Sequence, residues 1–175
     1  ENTPAVDPAV FRVADFKTID KLLLESPQGK VDLSFNGARW KVNQQHDADR
    51  NMISVIFATL QEAEPKRPVA ESLRDSIASR LVKNGIRISL FTGQSLVKQF
   101  YAGGNETKTQ AWFMDPDGGE VYVMAIPGYK VYVSGIFELQ ESGWRDKFVF
   151  PFNWQNFHQM QVEFPEKPAE NFTVA

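Results

Sequence analysis

The chain has 175 residues, with 19 Lys and Arg against 22 Asp and Glu, and therefore a formal net charge of −3. A chain of this size buries about 70% of its unfolded surface, which is enough for one core without disulfides or metal ions to stabilise it. The mild acidic balance excludes the basic footprint of a domain that binds nucleic acid or an anionic membrane. The absence of Cys excludes disulfides, zinc–thiolate sites, iron–sulfur clusters and thiol nucleophiles.

The two ends of the chain differ from its centre. Pro4 and Pro8 predict an extended N-terminal segment over residues 1–10, followed by a single α+β domain over residues 11–158. Alternating apolar residues over 159–175 predict strand, turn and strand, and we expect this stretch to begin a second, truncated segment of a larger parent. No apolar run approaches the roughly 20 residues of a membrane helix, so direct membrane insertion is not predicted.

A three-stranded antiparallel meander is predicted over residues 19–43. Apolar and polar residues alternate over 31–35, which is the period of a half-buried strand. Turn sequences flank that strand: Ser26-Pro27-Gln28-Gly29 precedes it, and Asn36-Gly37 follows it. Residues 40–42 then continue as the third strand.

Two consecutive amphipathic helices are predicted next, over about residues 47–63 and 68–83. Asp47 is placed to cap the first helix, which must end before Pro65. Asn84-Gly85 predicts a left-handed stop for the second helix. Each helix has one apolar stripe, so we expect both to pack on one face of a sheet. The stripes consist of Met52, Ile53, Ile56, Phe57 and Leu60 in the first helix, and Val69, Leu73, Ile77 and Leu81 in the second.

A second antiparallel meander is predicted after Gly85, where the apolar residues alternate again. Short turns that contain Gly separate four strands, which are expected over residues 86–90, 96–101, 110–114 and 120–126. Strands cluster before and after the helices and do not alternate with them. The predicted fold class is therefore α+β, with two antiparallel β meanders and two consecutive amphipathic helices packed on the sheet. Residues 129–139 fit either a strand or a short helix.

Two groups of side chains have the residue types of a cation site. His46 stands beside Asp47 and Asp49, but no second ligand follows at metal spacing, and a helix cap explains Asp47 better. The acidic residues of 115–120 lack the full ligand series of a calcium loop. Their Pro-Asp-Gly-Gly sequence is typical of a hairpin turn. The sequence therefore predicts no metal site and no cofactor.

No catalytic motif is assembled in the sequence. Ser134-Gly135 and Gly93-Gln94-Ser95 do not form the Gly-x-Ser-x-Gly elbow of a hydrolase, and no phosphate-binding loop is present. Arg145 and Asp146 have the residue types of a catalytic pair. A guanidinium that ties carbonyls or carboxylates at a chain reversal explains Arg145 better. We assign no catalytic residue, and the sequence favours a protein that is not an enzyme.

Aromatic residues are concentrated towards the C-terminus, where the chain from Phe137 onward holds half of its 14 Phe and 4 Trp residues. Exposed aromatic faces would make a stacking platform for a sugar or a peptide. We favour the alternative, that they pack in this core or against a following domain, because such side chains are mostly buried. The candidate interaction surface consists of Trp144, Arg145, Phe148, Phe150, Trp154 and Phe157.

Several short stretches stand in a fixed order along the chain, and Trp144–Phe150 is the most distinctive. The others are Phe11-Arg12-Val13-Ala14-Asp15, Ile19-Asp20-Lys21, Trp40-Lys41-Val42-Asn43, Asn84-Gly85-Ile86, Tyr101-Ala102-Gly103-Gly104, Ile126-Pro127-Gly128-Tyr129 and Val162-Glu163-Phe164-Pro165. In number, order and spacing they resemble the bacterial domain of unknown function family 4340, which has a Trp-Arg-Asp-Arg/Lys-x-Val/Ile-Phe signature. The resemblance covers about residues 11–174.

The resemblance implies a location and a partner but no chemistry. Such proteins are expected to be membrane-anchored near the N-terminus, with the domain on the periplasmic side, and to occur with ABC-transporter permeases and gliding-motility-type auxiliary proteins. No catalytic residue carries over.

Two functions follow as expectations. The first is a non-catalytic accessory or interaction domain of the cell envelope, whose partner is a membrane transport protein or a missing C-terminal domain of the same chain. The alternative is an envelope domain that binds or hydrolyses glycan or peptide, which requires a deep cleft with convergent polar groups.

Overall fold

The computed structural model describes residues 6–147 and 169, and the backbone of residues 160–162 and 172–174. Within residues 6–147, nine antiparallel strands form one sheet in the order β4-β3-β2-β1-β6-β7-β8-β9-β5. The strands are β1 (Lys21–Ser26), β2 (Gly29–Phe35), β3 (Trp40–Val42), β4 (His46–Asp47), β5 (Glu64–Pro68), β6 (Ile86–Thr92), β7 (Ser95–Gly104), β8 (Ala111–Met114) and β9 (Val121–Ala125).

The α+β class and both predicted meanders are confirmed. Strands β1 to β3 form the first meander and β6 to β9 the second, and the two are joined because β1 also pairs with β6. Two helices follow one another between the meanders: α1 (Arg50–Glu62) and α2 (Glu71–Asn84). The ambiguous stretch 129–139 contains a 3-10 helix over Val133–Glu138, followed by the short helix α3 (Glu141–Trp144).

Two short strands near the C-terminus agree with the two strands predicted there, while the predicted turn between them lies outside the described residues. Strand β10 (Met160–Val162) pairs antiparallel with β11 (Phe172–Val174). Among the helices that the structure describes, none combines the length and the apolar character needed to cross a bilayer.

The prediction that both helices pack on one face of the sheet is wrong. Alternate residues of a strand point to opposite faces. In β8, Phe113 belongs to the large core that contains Ile53 and Ile56 of α1, whereas Trp112 belongs to a smaller core that contains Ile77 of α2. The two helices therefore cover opposite faces, and the sheet is buried on both sides where they lie.

An unpredicted edge strand explains how the chain changes faces. The link between the helices forms β5, which pairs with β9 at the edge of the sheet opposite to β4. Its Pro65 and Pro68 suit an edge, because proline cannot donate to a second neighbour. Helix α1 thus connects the two edges across one face, and α2 returns along the other face to the central strand β6.

The short connection across the sheet requires that the sheet curve around α1. Nine strands spaced about 4.8 Å apart would separate the two edges of a flat sheet by roughly 38 Å. The 13 residues of α1 span only about 20 Å. The curvature gathers both meanders, α1, the 3-10 helix and residues 10–16 around the larger core, where Phe11 packs on Phe100 and Phe113.

The cap of α1 is Asp49, not Asp47 as predicted. The Asp49 side chain accepts hydrogen bonds from the backbone N–H groups of Asn51 at 2.8 Å and Met52 at 3.3 Å. Asp47 instead pairs with Lys41 across β3 and β4. Both residues have the chemistry of a cap, and the extra strand β4 decides between them by delaying the start of the helix.

We expect Asp49→Ala to lower the free energy of unfolding by about 1 kcal/mol, because two N–H groups at the first turn of α1 lose their acceptor. Asp49→Asn keeps an acceptor at the same place and should cost only a few tenths of that. Urea denaturation of both variants measures the difference. Equal losses in the two would show that the cap is not the cause.

Candidate functional site

The Trp144-Arg145-Asp146 stretch is paired to the segment that leads from β4 into α1. The backbone N–H of Asp49 donates to the carbonyl of Trp144 at 2.8 Å, and the N–H of Asp146 donates to the carbonyl of Asp47 at 2.8 Å. Between these bonds, Ala48 and Arg145 form an antiparallel bridge. The stretch therefore holds the segment before α1 in place, and it pairs with the side of the edge strand β4 that does not pair with β3.

Trp144 is fully buried, so its side chain offers no contact surface in this fold. It belongs to the larger core, and its indole N–H donates to the carbonyl of Leu139 at 3.1 Å. This placement agrees with the alternative that we favoured for the aromatic residues, packing in the core. The indole therefore anchors the C-terminal end of α3 in the larger core.

Arg145 lies in a local network of charged and polar side chains, as its residue type suggested. Its Nη2 lies 3.0 Å from Nδ1 of His46, and its Nη1 lies 3.8 Å from Oε1 of Glu141. The Nε2 of His46 lies 3.5 Å from the same carboxylate oxygen, and Asn43 donates to Oε2 of Glu141 at 2.9 Å. The network ties α3 to β4 and to the turn before it.

The other members of the candidate interaction surface, Phe148, Phe150, Trp154 and Phe157, lie outside the described residues. The Asp115–Gly119 stretch is a turn between β8 and β9, in which the Gly118 N–H donates to the Asp115 carbonyl at 3.0 Å. The described part of the chain contains no group of three or more His, Asp and Glu residues that could hold a metal ion.

A cleft of about 640 Å³ opens between the β2–β3 turn and the first turns of α1. One wall consists of Phe35 and Trp40, which face each other across β2 and β3 with ring centroids 5.9 Å apart. The polar side chains that line the cleft are Arg39, Asp47, Arg50, Ser54 and Asp146. The cleft therefore combines an aromatic wall with donors and acceptors, next to the Trp144–Asp146 stretch.

The Asp47 carboxylate is held in place in this cleft by two cations, and it can accept hydrogen bonds. Lys41 Nζ lies 2.6 Å from one carboxylate oxygen, and Arg39 Nη1 lies 2.8 Å from the other. The hydrogen bonds from Lys41 and then Arg39 lower the pKa of Asp47 below its ordinary value. Asp47 is thus a carboxylate at neutral pH, suited to accepting hydrogen bonds and not to donating a proton.

A second concave surface, which we call the apolar groove, runs between α1 and residues 126–139. Its volume is about 590 Å³, and Glu62 is the one acidic or basic residue among those that line it in the described chain. Three of its side chains are exposed although they are large and apolar: Val55 at 45%, Tyr129 at 71% and Val131 at 53%. Met52, Ala58 and Ile136 also line it.

One wall of the apolar groove is held by a polar cluster behind it. The Tyr132 hydroxyl donates to Oε1 of Glu138 at 2.9 Å, and Lys108 Nζ donates to the same oxygen at 2.6 Å. Burial, and next the bond to Glu138, raise the pKa of Tyr132, so the hydroxyl stays protonated and keeps donating. The Ser134 hydroxyl also donates to the carbonyl of Gly103 at 2.8 Å, which ties this wall to β7.

A sequence match over most of the chain identifies its family. Residues 40–174 match the model of the domain of unknown function family DUF4340. The chain belongs to the DUF4340 family. Searches of curated proteins and of solved structures found no similar chain. The match confirms the resemblance over residues 40–174, beginning at Trp40 in the wall of the cleft. The short stretches before Trp40 lie outside the matched residues.

Some of the short stretches on which the resemblance rests have structural roles in this chain. Trp144 is a core anchor, and the Trp144–Asp146 backbone locks the entrance to α1. Gly85 and Gly104 permit close approach: a Cβ at Gly104 would lie 2.4 Å from the Tyr132 hydroxyl and 2.5 Å from the Gln110 carbonyl. These residues build the scaffold around the cleft and the apolar groove.

Sequence reasoning missed both concave surfaces. One signal for the apolar groove was present, because residues 51–61 contain no charged side chain. A helix with one buried stripe normally has a charged outer face, so this composition indicates a second apolar side on α1. No comparable signal exists for the cleft, whose residues come together through the pairing of β2, β3 and β4.

Proposed function

We propose that this DUF4340 chain is a non-catalytic interaction domain that binds an apolar segment of a membrane transport protein in the apolar groove. The proposed location is the periplasmic side of the cell envelope, in a parent protein anchored in the membrane and associated with an ABC-type transport complex. Location and partner rest on the resemblance of the chain, and the groove supports the mode of binding.

The observation that carries the proposal is the exposed apolar lining of the groove. Large exposed apolar patches on a domain mark interaction sites, because water contact with them is unfavourable. Burying Val55, Tyr129 and Val131 against a partner removes that contact. With Glu62 as the one charged side chain in its described lining, the groove favours an apolar occupant over a charged one.

The shape of the groove favours a helical occupant. One side is α1, whose lining residues run from Met52 to Glu62, and the other is the 3-10 helix with the turn before it. An amphipathic helix fills such a groove with apolar residues spaced three or four apart. An amphipathic helix of a membrane protein that lies at the membrane interface would have this pattern of apolar residues.

A capture experiment with matched variants tests the proposal. We expect the wild-type chain to capture ABC-type permease or auxiliary subunits, identified by mass spectrometry, from detergent-solubilised bacterial envelope. Val55→Arg should reduce capture at least about tenfold, because it places a charge in the apolar lining. Val82→Arg is the matched control, since Val82 is 58% exposed on α2, on the opposite face of the sheet.

The outcome depends on which variant loses capture. Loss with Val55→Arg and retention with Val82→Arg supports the groove as the docking site. Equal capture by both variants contradicts the groove, and capture of no transport subunit by the folded wild-type chain contradicts the proposed partner. Circular dichroism of each variant confirms that the fold is intact.

A further inference from the structure

The cleft beside Phe35 and Trp40 has the dimensions of a small-molecule site. Its volume of about 640 Å³ lies within the roughly 300–1,000 Å³ of typical ligand pockets. Its walls come from paired strands and the first turns of α1, which the Trp144–Asp146 stretch holds in place. The side chains are therefore presented by a rigid frame.

The aromatic wall points to a ligand with an apolar face. Phe35 is 43% exposed although its ring is large and apolar. Trp40 supports it from the neighbouring strand and packs in turn on Phe57, with ring centroids 5.5 Å apart. Aromatic rings give a large contact area at a small entropic cost, which makes them good platforms for flat ligands.

The polar side chains can both donate and accept hydrogen bonds. Each Asp47 oxygen accepts one bond from a cation, which leaves further lone pairs on the carboxylate. The Arg39 guanidinium has five N–H groups, of which the ion pair with Asp47 uses one. Ser54 donates its hydroxyl proton to the Arg50 carbonyl at 3.0 Å, so its oxygen can accept a bond.

The lining of the cleft carries charges of both signs, from Arg39, Arg50, Asp47 and Asp146. Asp47 is already paired with two cations, Arg39 in the lining and Lys41 beside it. A strongly charged ligand would have to compete with these ion pairs. The lining favours an uncharged ligand that has one apolar face and groups that donate and accept at its edge.

We propose that this cleft binds a carbohydrate. The apolar C–H face of a sugar ring packs on Phe35, with Trp40 behind it. The ring hydroxyls, which donate and accept, bond to Asp47 and Arg39. The cleft and the apolar groove both use α1, but no described residue lines both of them. The inference therefore does not rest on the proposed transport partner.

Calorimetric titration of the full chain with uncharged tetrasaccharides tests this inference. The probes are cellotetraose, chitotetraose and maltotetraose, and at least one should bind with a saturable isotherm. Phe35→Ala should weaken that binding at least about tenfold, and Asp47→Asn should weaken it in the same direction. Tyr129→Ala, which removes an exposed aromatic ring from the apolar groove, should leave the affinity unchanged. An NMR shift of the Trp40 indole N–H on titration locates the sugar.

Three results would overturn the inference. One is a wild-type chain that binds none of the three sugars. Another is a Phe35→Ala variant, folded by circular dichroism, with wild-type affinity. The third is a short Asp-rich peptide that binds at the Trp40 indole more tightly than every sugar, which would assign the cleft to peptides.

Discussion

Trp144→Ala is expected to lower the free energy of unfolding by about 3–5 kcal/mol, the range for removing a large aromatic side chain from a core. Trp144 is fully buried in the larger core. Truncation leaves a cavity in that core, beside the backbone bond that joins Trp144 to Asp49 at the start of α1. A domain of this size is stable by only about 5–15 kcal/mol, so the variant should lie close to unfolding.

Two further variants separate the volume of Trp144 from its hydrogen bond. Trp144→Phe fills most of the space but removes the N–H that donates to the Leu139 carbonyl. We expect it to cost about 1–3 kcal/mol, less than Trp144→Ala. Tyr129→Ala, at a residue 71% exposed, should stay within about 0.5 kcal/mol of wild type. Urea midpoints give all three values, and a loss below about 1 kcal/mol for Trp144→Ala would contradict the anchoring role.

This role could be inferred from the sequence only as one of two alternatives. The spacing of aromatic residues does not tell whether an indole faces the core or the solvent. That depends on pairing between residues about 100 positions apart, such as Arg145 with His46. Local patterns carry no information about such contacts, which is why packing and surface exposure both remained open for Trp144.

Local patterns did predict the elements whose structure depends on neighbouring residues in the sequence. The alternation at Val31 and Leu33 and the Asn36-Gly37 turn specify a strand and a hairpin without help from distant residues. Strand β5 was missed because its sequence, Glu64–Pro68, has no strand pattern. It is a strand because β9 is available to pair with it at the edge of the sheet.

The faces of the sheet on which the helices pack could not be derived from their stripes. An apolar stripe shows that a helix packs, but not on which face. The choice follows from the positions of β4 and β5 at opposite edges, which sends α1 across one face and α2 back along the other. The cleft depends on the same long-range arrangement, since β4 brings Asp47 beside Arg39 and Lys41.

Gly85→Ala is expected to lower the free energy of unfolding by about 2–3 kcal/mol through steric overlap. The sequence predicted a left-handed stop at this residue, and that prediction is wrong, since Gly85 has φ −75° and ψ −178°. Glycine is required there for space. A Cβ on Gly85 would lie 2.4 Å from the Leu81 carbonyl oxygen and 3.0 Å from the Ala102 carbonyl oxygen. Both are backbone atoms, so no rotation of a side chain relieves the overlap.

Asparagine at the same position distinguishes the two explanations. Asn tolerates left-handed backbone better than Ala does, so a left-handed stop would make Gly85→Asn the milder change. Overlap of the Cβ is common to both, so we expect Gly85→Asn to cost at least as much as Gly85→Ala. Gly37→Ala is the converse control, because Gly37 has φ +95° and open space around its Cβ position. Any stability lost there comes from the backbone conformation and not from overlap of the Cβ. Urea denaturation measures the free energy of unfolding of each variant. If Gly85→Asn were clearly more stable than Gly85→Ala, the left-handed explanation would hold, and the close contact between α2 and β7 would be contradicted.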